Sequence, residues 1–311
     1  MKKVCNLEFI NQGDYFLPKI HLFGMTHKFR FTKFLPVIKF YWRETFEKYF
    51  KENDSKEKIK NLKDGMDKTS CDYIDHFIKL FSYINKPYFG NLWTKEDKKL
   101  KKEYREFEKT FRQPFGDILK IDPFYYSNIY GLKDLYEEVF DKINGKIIID
   151  GGALNGDSAL MFHYYFPKSE IHAYEPLSVN YSVMDKFLKI DNCNNKIIPI
   201  KEGLGQKEEV VEITFNDREM AQITTINNNY KNSSPIGLIK LDTEGFESAV
   251  IEGAKEIIKR DKPIVIAAMY HTPEDFFELK EKLKMLNPDY KFMIRRSEMV
   301  IPMADLVLIA Y

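Results

Sequence analysis

Cysteine is almost missing from this 311-residue chain: Cys5, Cys71 and Cys193 are odd in number and far apart. They make neither a disulfide framework nor a thiolate metal cluster, and they fit a reducing compartment. Long hydrophobic runs are missing too. The longest, Ile264 to Tyr270, has the length of a buried strand, so no membrane-spanning helix is expected. Nor is there the apolar core of a secretory signal, because Asn6, Glu8, Asn11, Gln12 and Asp14 interrupt the stretch after Lys2 and Lys3. A cytoplasmic location is the resulting expectation. Excess charge of one sign is also lacking. Lys and Arg number 48 against 47 Asp and Glu, a formal net charge of +1, which removes the blanket electrostatic case for nucleic acid. Repeats and low-complexity tracts are absent.

What remains is apolar and aromatic. With 44% hydrophobic and 15% aromatic residues the chain can fill a core, so wholesale disorder is excluded. The length suggests two domains, or one large domain with an appendage. Charge divides in the same way. Residues 1–120 hold 26 Lys and Arg against 17 Asp and Glu, and the remainder holds 22 against 30. Two separately solvated surfaces account for this; a basic part facing an anionic substrate and an acidic part facing a cationic ligand is the sharper reading.

Residues 1–125 read as a mostly helical, aromatic-rich region. Apolar residues recur at helical spacing over 33–51, 73–83 and 95–111, whereas the polar stretch 51–67 reads as a loop. Residues 126–311 read as alternating strands and helices. A helix over 132–143 ends at Asn144-Gly145, then come the strand 146–150, helix 156–166, strand 170–174, helix 177–190 and strand 196–200. Further on, strand 236–241, helix 246–259, strand 263–268 and helix 272–286 follow, the last with Thr272 as N-cap and Pro273 in its first turn. Strands 290–295 and 306–311 close the chain as an antiparallel hairpin. The fold class is therefore α/β, a doubly wound and mostly parallel Rossmann-like sheet with a helical N-terminal region.

In such a sheet the ligand lies beyond the carboxyl ends of the strands. After the first strand stands Asp150-Gly151-Gly152-Ala153-Leu154-Asn155-Gly156-Asp157, whose glycines let a ligand approach the backbone ahead of a helix N-terminus. Glu175-Pro176 follows the second strand, where a carboxylate can accept both hydroxyls of a ribose. An adenosine-bearing ligand fits. Gly151-x-Ala153-x-x-Gly156 is a degraded dinucleotide fingerprint, which keeps an NAD-dependent oxidoreductase open as an alternative. Ala153 replaces its middle glycine, and Asp150 and Asp157 would repel two phosphates. Two carboxylates suit a ligand bearing an ammonium and a sulfonium, S-adenosylmethionine. A third constellation, Ile239-Lys240-Leu241-Asp242-Thr243-Glu244-Gly245-Phe246-Glu247, ends a strand in acidic residues. Partnering the helix dipole explains Glu247 but not Asp242.

These three motifs together resemble the FkbM-type methyltransferases, over roughly residues 132–311. The Ile-Lys-x-Asp-x-Glu-Gly order with the later Gly253-Ala254 pair is the specific part, and Tyr270-His271-Thr272-Pro273-Glu274-Asp275, Asn287-Pro288 and Tyr290 are similar to one branch. Many members have a non-glycine residue at the position of Gly151. The resemblance implies a Rossmann-like enzyme that transfers a methyl group from S-adenosylmethionine, usually to a hydroxyl of a sugar or surface-glycan precursor. It implies that Asp150, Gly152, Asn155, Gly156 and Asp157 line the donor, that Glu175 holds its ribose, and that Glu202, with Gly203-Leu204, lies near its adenine. The part before residue 126 would then cap the cleft and set acceptor choice. Its aromatics, Trp42 and Trp93 among them, would stack on sugar faces, unless they are simply helical core.

Methyl transfer to a hydroxyl needs a proton acceptor. His271, just past a strand's carboxyl end, is the expected catalytic base, with helix capping as the competing role. Asp242 is the second candidate. Asp242, Glu244 and Asp275 are oxygen donors of the kind that binds Mg²⁺, but their spacing fixes no site and no metal is expected. Lys240, Arg295 and Arg296 offer charge to an anionic acceptor, or stand as solvated strand-edge cations. A non-catalytic donor-binding partner subunit is the remaining alternative.

Overall fold

The computed structural model describes residues 5–12, 15–22, 25–27, 43–52, 55–82, 91–111, 123–190, 196–214, 218–299 and 304–311. Three strands open the chain, β1 (Cys5–Gln12), β2 (Tyr15–Leu22) and β3 (Met25–His27), paired as an antiparallel meander that the sequence reading did not anticipate. Helices α1 (Arg43–Glu52), α2 (Lys56–Lys63), α3 (Lys68–Ser82), α4 (Lys95–Thr110) and α5 (Pro123–Asn128) follow. Two 3-10 turns, Ile129–Gly131 and Lys133–Leu135, lead into α6 (Tyr136–Ile143). The alternating part begins with β4 (Ile147–Gly151), α7 (Asp157–Tyr165), β5 (Glu170–Tyr174), α8 (Ser178–Ile190) and β6 (Ile197–Ile200). A small sheet of β7 (Gly203–Leu204), β8 (Glu209–Thr214) and β9 (Arg218–Thr224), then α9 (Ile226–Tyr230), interrupts it. It resumes with β10 (Ile236–Leu241), α10 (Glu247–Gly253), α11 (Lys255–Asp261), β11 (Ile264–Ala268), α12 (Pro273–Leu286), β12 (Phe292–Arg296) and β13 (Leu306–Ala310).

The main sheet has seven strands in the order β12-β13-β11-β10-β4-β5-β6, all parallel except β13, which runs antiparallel to both its neighbours. Strand order reverses at β4: the chain moves to β5 on one side and returns to β10 on the other. That is the switch point. β-Branched runs make these strands because both faces are covered. Ile147 and Ile149 face one apolar cluster with Ile239, Val250, Ile258, Val265 and Phe276, while Ile148 faces another with Val139, Leu160, Phe162, Ile171 and Ile266.

The first cluster runs on into the helices before residue 125. Phe46 of α1 and Phe77 and Phe81 of α3 are buried against α12, with Phe77 stacked on Phe276 at 4.4 Å between ring centroids. For these aromatics the core explanation is the right one.

Two expectations need correction. Residues 56–63 are helical rather than a loop. Leu62 is buried, and Lys280 of α12 donates to the carbonyls of Asn61 (2.8 Å), Leu62 (3.2 Å) and Asp64, which satisfies the helix end. The single helix expected over 246–259 is broken at Ala254 into α10 and α11. A Cβ on Gly253 would stand 2.0 Å from the Gly205 carbonyl oxygen, so the break lies where the helix presses on the loop after β7.

Candidate active site

Three loops meet at the carboxyl ends of the central strands. The loop after β4 is tied to β5 by hydrogen bonds from the amides of Gly152 (3.0 Å) and Ala153 (2.9 Å) to the Tyr174 carbonyl. It is tied to β10 more tightly still. Gly152 has φ +72°, and a Cβ there would lie 1.9 Å from the Asp242 carbonyl oxygen, so only glycine fits the crossing. Leu154 is also left-handed, with φ 50°, and half exposed. The loop ends at Gly156, φ 87°, ahead of α7.

Glu175 is buried at the foot of this loop. One of its oxygens accepts from the Leu154 amide (3.1 Å); the other accepts from the Leu177 amide (2.9 Å) and the Asn180 side chain (3.4 Å). The oxygen bound to the Leu154 amide keeps a second acceptor direction, open to a ribose hydroxyl. Burial pushes its pKa up, against the lowering effect of these donors. Asn155 accepts from the Asp157 amide at 3.2 Å and so shapes the turn. Burial also pushes Asp157 up, to about 6, although its carboxylate accepts from the Ser158 amide at 2.7 Å. Glu202 lies past β6, close enough to the hydroxyls of Tyr174 and Tyr230 to add to the rise that burial causes in both.

Asp150 lies beneath the loop. It is fully buried, forms an ion pair with Lys240 Nζ at 3.0 Å and accepts from Ser158 Oγ at 2.6 Å. Lys240 also donates to the Gly152 carbonyl at 2.8 Å and lies 5.3 Å from the centre of the Tyr130 ring. In this structure the two charges neutralise each other beneath the loop and brace it, so neither is exposed toward a ligand. Arg296 is likewise buried, with its Nε 2.8 Å from Asp97, and Arg295 pairs with Asp67 (3.1 Å) and Asp134 (3.2 Å). None of the three cations proposed for an anionic acceptor is available for one. Trp93 packs under Arg296, 5.1 Å from it, rather than in the cleft, and Trp42 lies outside the described residues.

The acidic motif after β10 gathers around His271. The imidazole is buried, with 2% of its surface exposed. Its Nδ1 lies 3.0 Å from Glu247 Oε1, and its Nε2 lies 3.6 Å from both Asp242 Oδ1 and Glu244 Oε2. Glu247, completely buried, also accepts from the amides of Thr243 (2.7 Å) and Gly245 (2.9 Å), which fixes the strand-to-helix turn and the ring together. Burial by itself would lower the imidazole pKa; Glu247 above all, with Asp242 and Glu244, outweighs it and raises the pKa to about 9. The raised pKa favours the protonated ring, and Asp242, 3.6 Å from Nε2, stands beside it as the second acid–base candidate.

Asp242 is held by two tyrosines that the sequence reading passed over. Tyr130 donates to Oδ2 at 2.7 Å and Tyr270 to Oδ1 at 3.3 Å. Tyr130 reaches the site from a strained turn in which Ile129 and Tyr130 both have φ 51°, just before Gly131 at φ 90°. No motif marks it. Asp275 faces Thr272 and the Ser248 amide instead of this cluster, and its carboxyl is pushed up to about 7 by burial and by Glu247. Thr272 caps α12 as expected, its hydroxyl accepting from the Asp275 amide.

Residues 150–296 match the family model of the methyltransferase FkbM domain. Over that stretch, just under half of the chain, the sequence is similar to the FkbM methyltransferase domain. In structure the chain is similar to the methyltransferase FkbM from Methylobacillus flagellatus KT, with TM-score 0.57 and 18% identity over 83% of this chain, and it spans 59% of that protein. A putative rRNA methylase from Clostridium thermocellum (TM-score 0.40, 14% identity, 58% of this chain and 93% of that one) is more distant. So is Aeropyrum pernix fibrillarin, a structure with bound S-adenosyl-L-methionine (TM-score 0.35, 12% identity, 55% and 68%). At these identities the likeness concerns the fold. No curated protein sequence matches the chain significantly.

Proposed function

We propose that this protein is an S-adenosylmethionine-dependent O-methyltransferase whose acceptor is a hydroxyl of a sugar or surface-glycan precursor. One observation carries the reading: Gly152 of the donor loop lies against the Asp242 carbonyl, which sets the ligand loop and the acid–base cluster side by side. The residues present fit the donor. Glu175 has acceptor capacity for a ribose, the Gly152 backbone admits close approach, and Asp157 offers a carboxylate for a cationic group. Asn155 and Gly156 shape the loop, and Glu202 stands beyond β6 where the adenine is expected. When bound, the donor supplies a methyl group already activated by its sulfonium.

This chain's residues then do three things. Glu175, Gly152 and Asp157 fix the donor's orientation, which counts because displacement at carbon needs attacking and leaving groups in line. Asp242, oriented by Tyr130 and Tyr270, takes the acceptor hydroxyl proton. His271, locked by Glu247 and charged, holds the neighbouring carboxylates in place. The sugar acceptor rests on the resemblance to FkbM-type enzymes rather than on any cation in the cleft, because Lys240, Arg295 and Arg296 are all paired. Labelled methyl transfer to capsule or lipopolysaccharide precursors tests the reading. Incorporation dependent on Asp242 supports it; binding of NADH without binding of S-adenosylhomocysteine would end it.

A further inference from the structure

The buried imidazole presents an unusual atom. His271 Nε2 is enclosed and makes no hydrogen bond, although its side chain is 1% exposed and faces two carboxylate oxygens. Both stand at 3.6 Å, too far for a hydrogen bond. Two ligand atoms about 2.1 Å from a tetrahedral ion stand about 3.4 Å apart, close to this spacing. Among the described residues, Asp242, Glu247 and His271 bring ligand-type atoms within 4.8 Å of one another.

We propose that His271 Nε2, Asp242 Oδ1 and Glu244 Oε2 bind a divalent first-row transition metal ion, with Glu247 as the carboxylate that orients the histidine.

Glu247 is unsuited to direct ligation because both its oxygens accept from the amides of Thr243 and Gly245. Its bond to Nδ1 orients Nε2 toward the two carboxylates, where a metal would displace the ring proton, the arrangement that outer carboxylates give to metal-bound histidines. The Asp242 carboxylate is aimed in the same way: Tyr130 holds Oδ2 and so turns Oδ1 toward the histidine. Glu244 completes the set from a strained position, φ 56°, with its side chain 66% exposed. An ion there keeps an open side toward solvent, where an acceptor hydroxyl can enter. One imidazole with two carboxylates favours Mn²⁺, Fe²⁺ or Zn²⁺ over Mg²⁺ and Ca²⁺, which prefer all-oxygen ligands.

The inference deepens the acceptor side of the proposed reaction. An ion there would be held by His271, Asp242 and Glu244 and would supply Lewis acidity to an entering hydroxyl, whose proton would still pass to the Asp242 carboxylate. The test reads the ion and not the reaction. The full chain, stripped with a chelator and dialysed, is titrated with Mn²⁺ followed by electron paramagnetic resonance and with Zn²⁺ by calorimetry. One ion per chain is expected, weakened at least tenfold in His271→Ala and in Glu247→Gln, and unchanged in Glu274→Gln, whose carboxylate is exposed outside the cluster. Because His271 is buried, Glu244→Gln on the exposed side serves as the variant that keeps the fold, and it too should bind at least tenfold more weakly. No stoichiometric Mn²⁺ or Zn²⁺ binding by the native chain, or binding indifferent to Glu244→Gln and His271→Ala alike, would overturn the proposal. Calorimetry with S-adenosylhomocysteine on the same samples reports separately on the donor site.

Discussion

Lys240 and Asp150 show how a charged residue in a ligand motif can be spoken for by its neighbour. They stand at matched positions on adjacent parallel strands, so sheet register brings their side chains to the same level. Removing one partner leaves the other charge buried and unpaired. Lys240→Met is therefore expected to lower unfolding free energy by about 3–5 kcal/mol in urea titrations. Asp157 is different, because it is needed as an anion and burial resists that. Its pKa of about 6 means the apo protein holds the proton more tightly than an unfolded chain does, and a bound cation must displace it. Affinity for S-adenosylmethionine should be level above pH 7 and fall about tenfold per unit below pH 6, by linkage to one proton. In Asp157→Asn the calorimetric profile should be flat. For Glu175→Ala the expected change is about tenfold to hundredfold weaker donor binding, at about 1.5–3 kcal/mol for hydrogen bonds to a charged group. Unaltered affinity would remove the ribose role.

Elements are placed here by contacts that local sequence does not announce. Short α2 has little helix-forming strength of its own. It forms because Leu62 is buried and Lys280 closes its last carbonyls, which is why a polar stretch read as a loop. The break between α10 and α11 likewise answers to Gly205, a loop distant in sequence. The left-handed turn at Ile129 and Tyr130 is a third case, delivering a tyrosine to Asp242 from outside any motif. By contrast β4 and β11 were legible, since runs of isoleucine and valine buried on both faces leave one reading. Thr272-Pro273 likewise marked the start of α12 unaided. A test at this scale uses the loop crossing: Gly152→Ala places a Cβ 1.9 Å from the Asp242 carbonyl oxygen. It should abolish donor binding in calorimetry, and Asn at the same position should not rescue it, because the obstruction is the Cβ itself.

At the scale of the whole molecule, the helices before residue 125 are anchored to the far edge of the sheet. The buried pair Asp97–Arg296 joins the start of α4 to the end of β12, and Arg296 also lies over Tyr73 of α3 at 5.7 Å. Asp97 is at the same time the N3 residue of a capping box with Thr94, so one carboxylate serves helix start and tertiary tie. Asp97→Ala is expected to cost about 3–5 kcal/mol in denaturant unfolding. Glu106→Ala, which loses only an exposed pair with Lys109, should leave the denaturant midpoint essentially unchanged. Among the described residues no helix is long and apolar enough to cross a membrane.

The alternating pattern and the order of glycines and acids along the chain were enough to determine the sheet and the loops where a ligand would meet it, because strand periodicity and backbone freedom are local properties. Charge state is not local. Whether Asp150 lines a cleft or braces it, and whether His271 takes up a proton or already carries one, depends on which side chains the sheet register and the helix packing bring within a few ångströms. Electrostatic interaction in a buried site is governed by those distances and by the exclusion of water, and only the folded chain sets either.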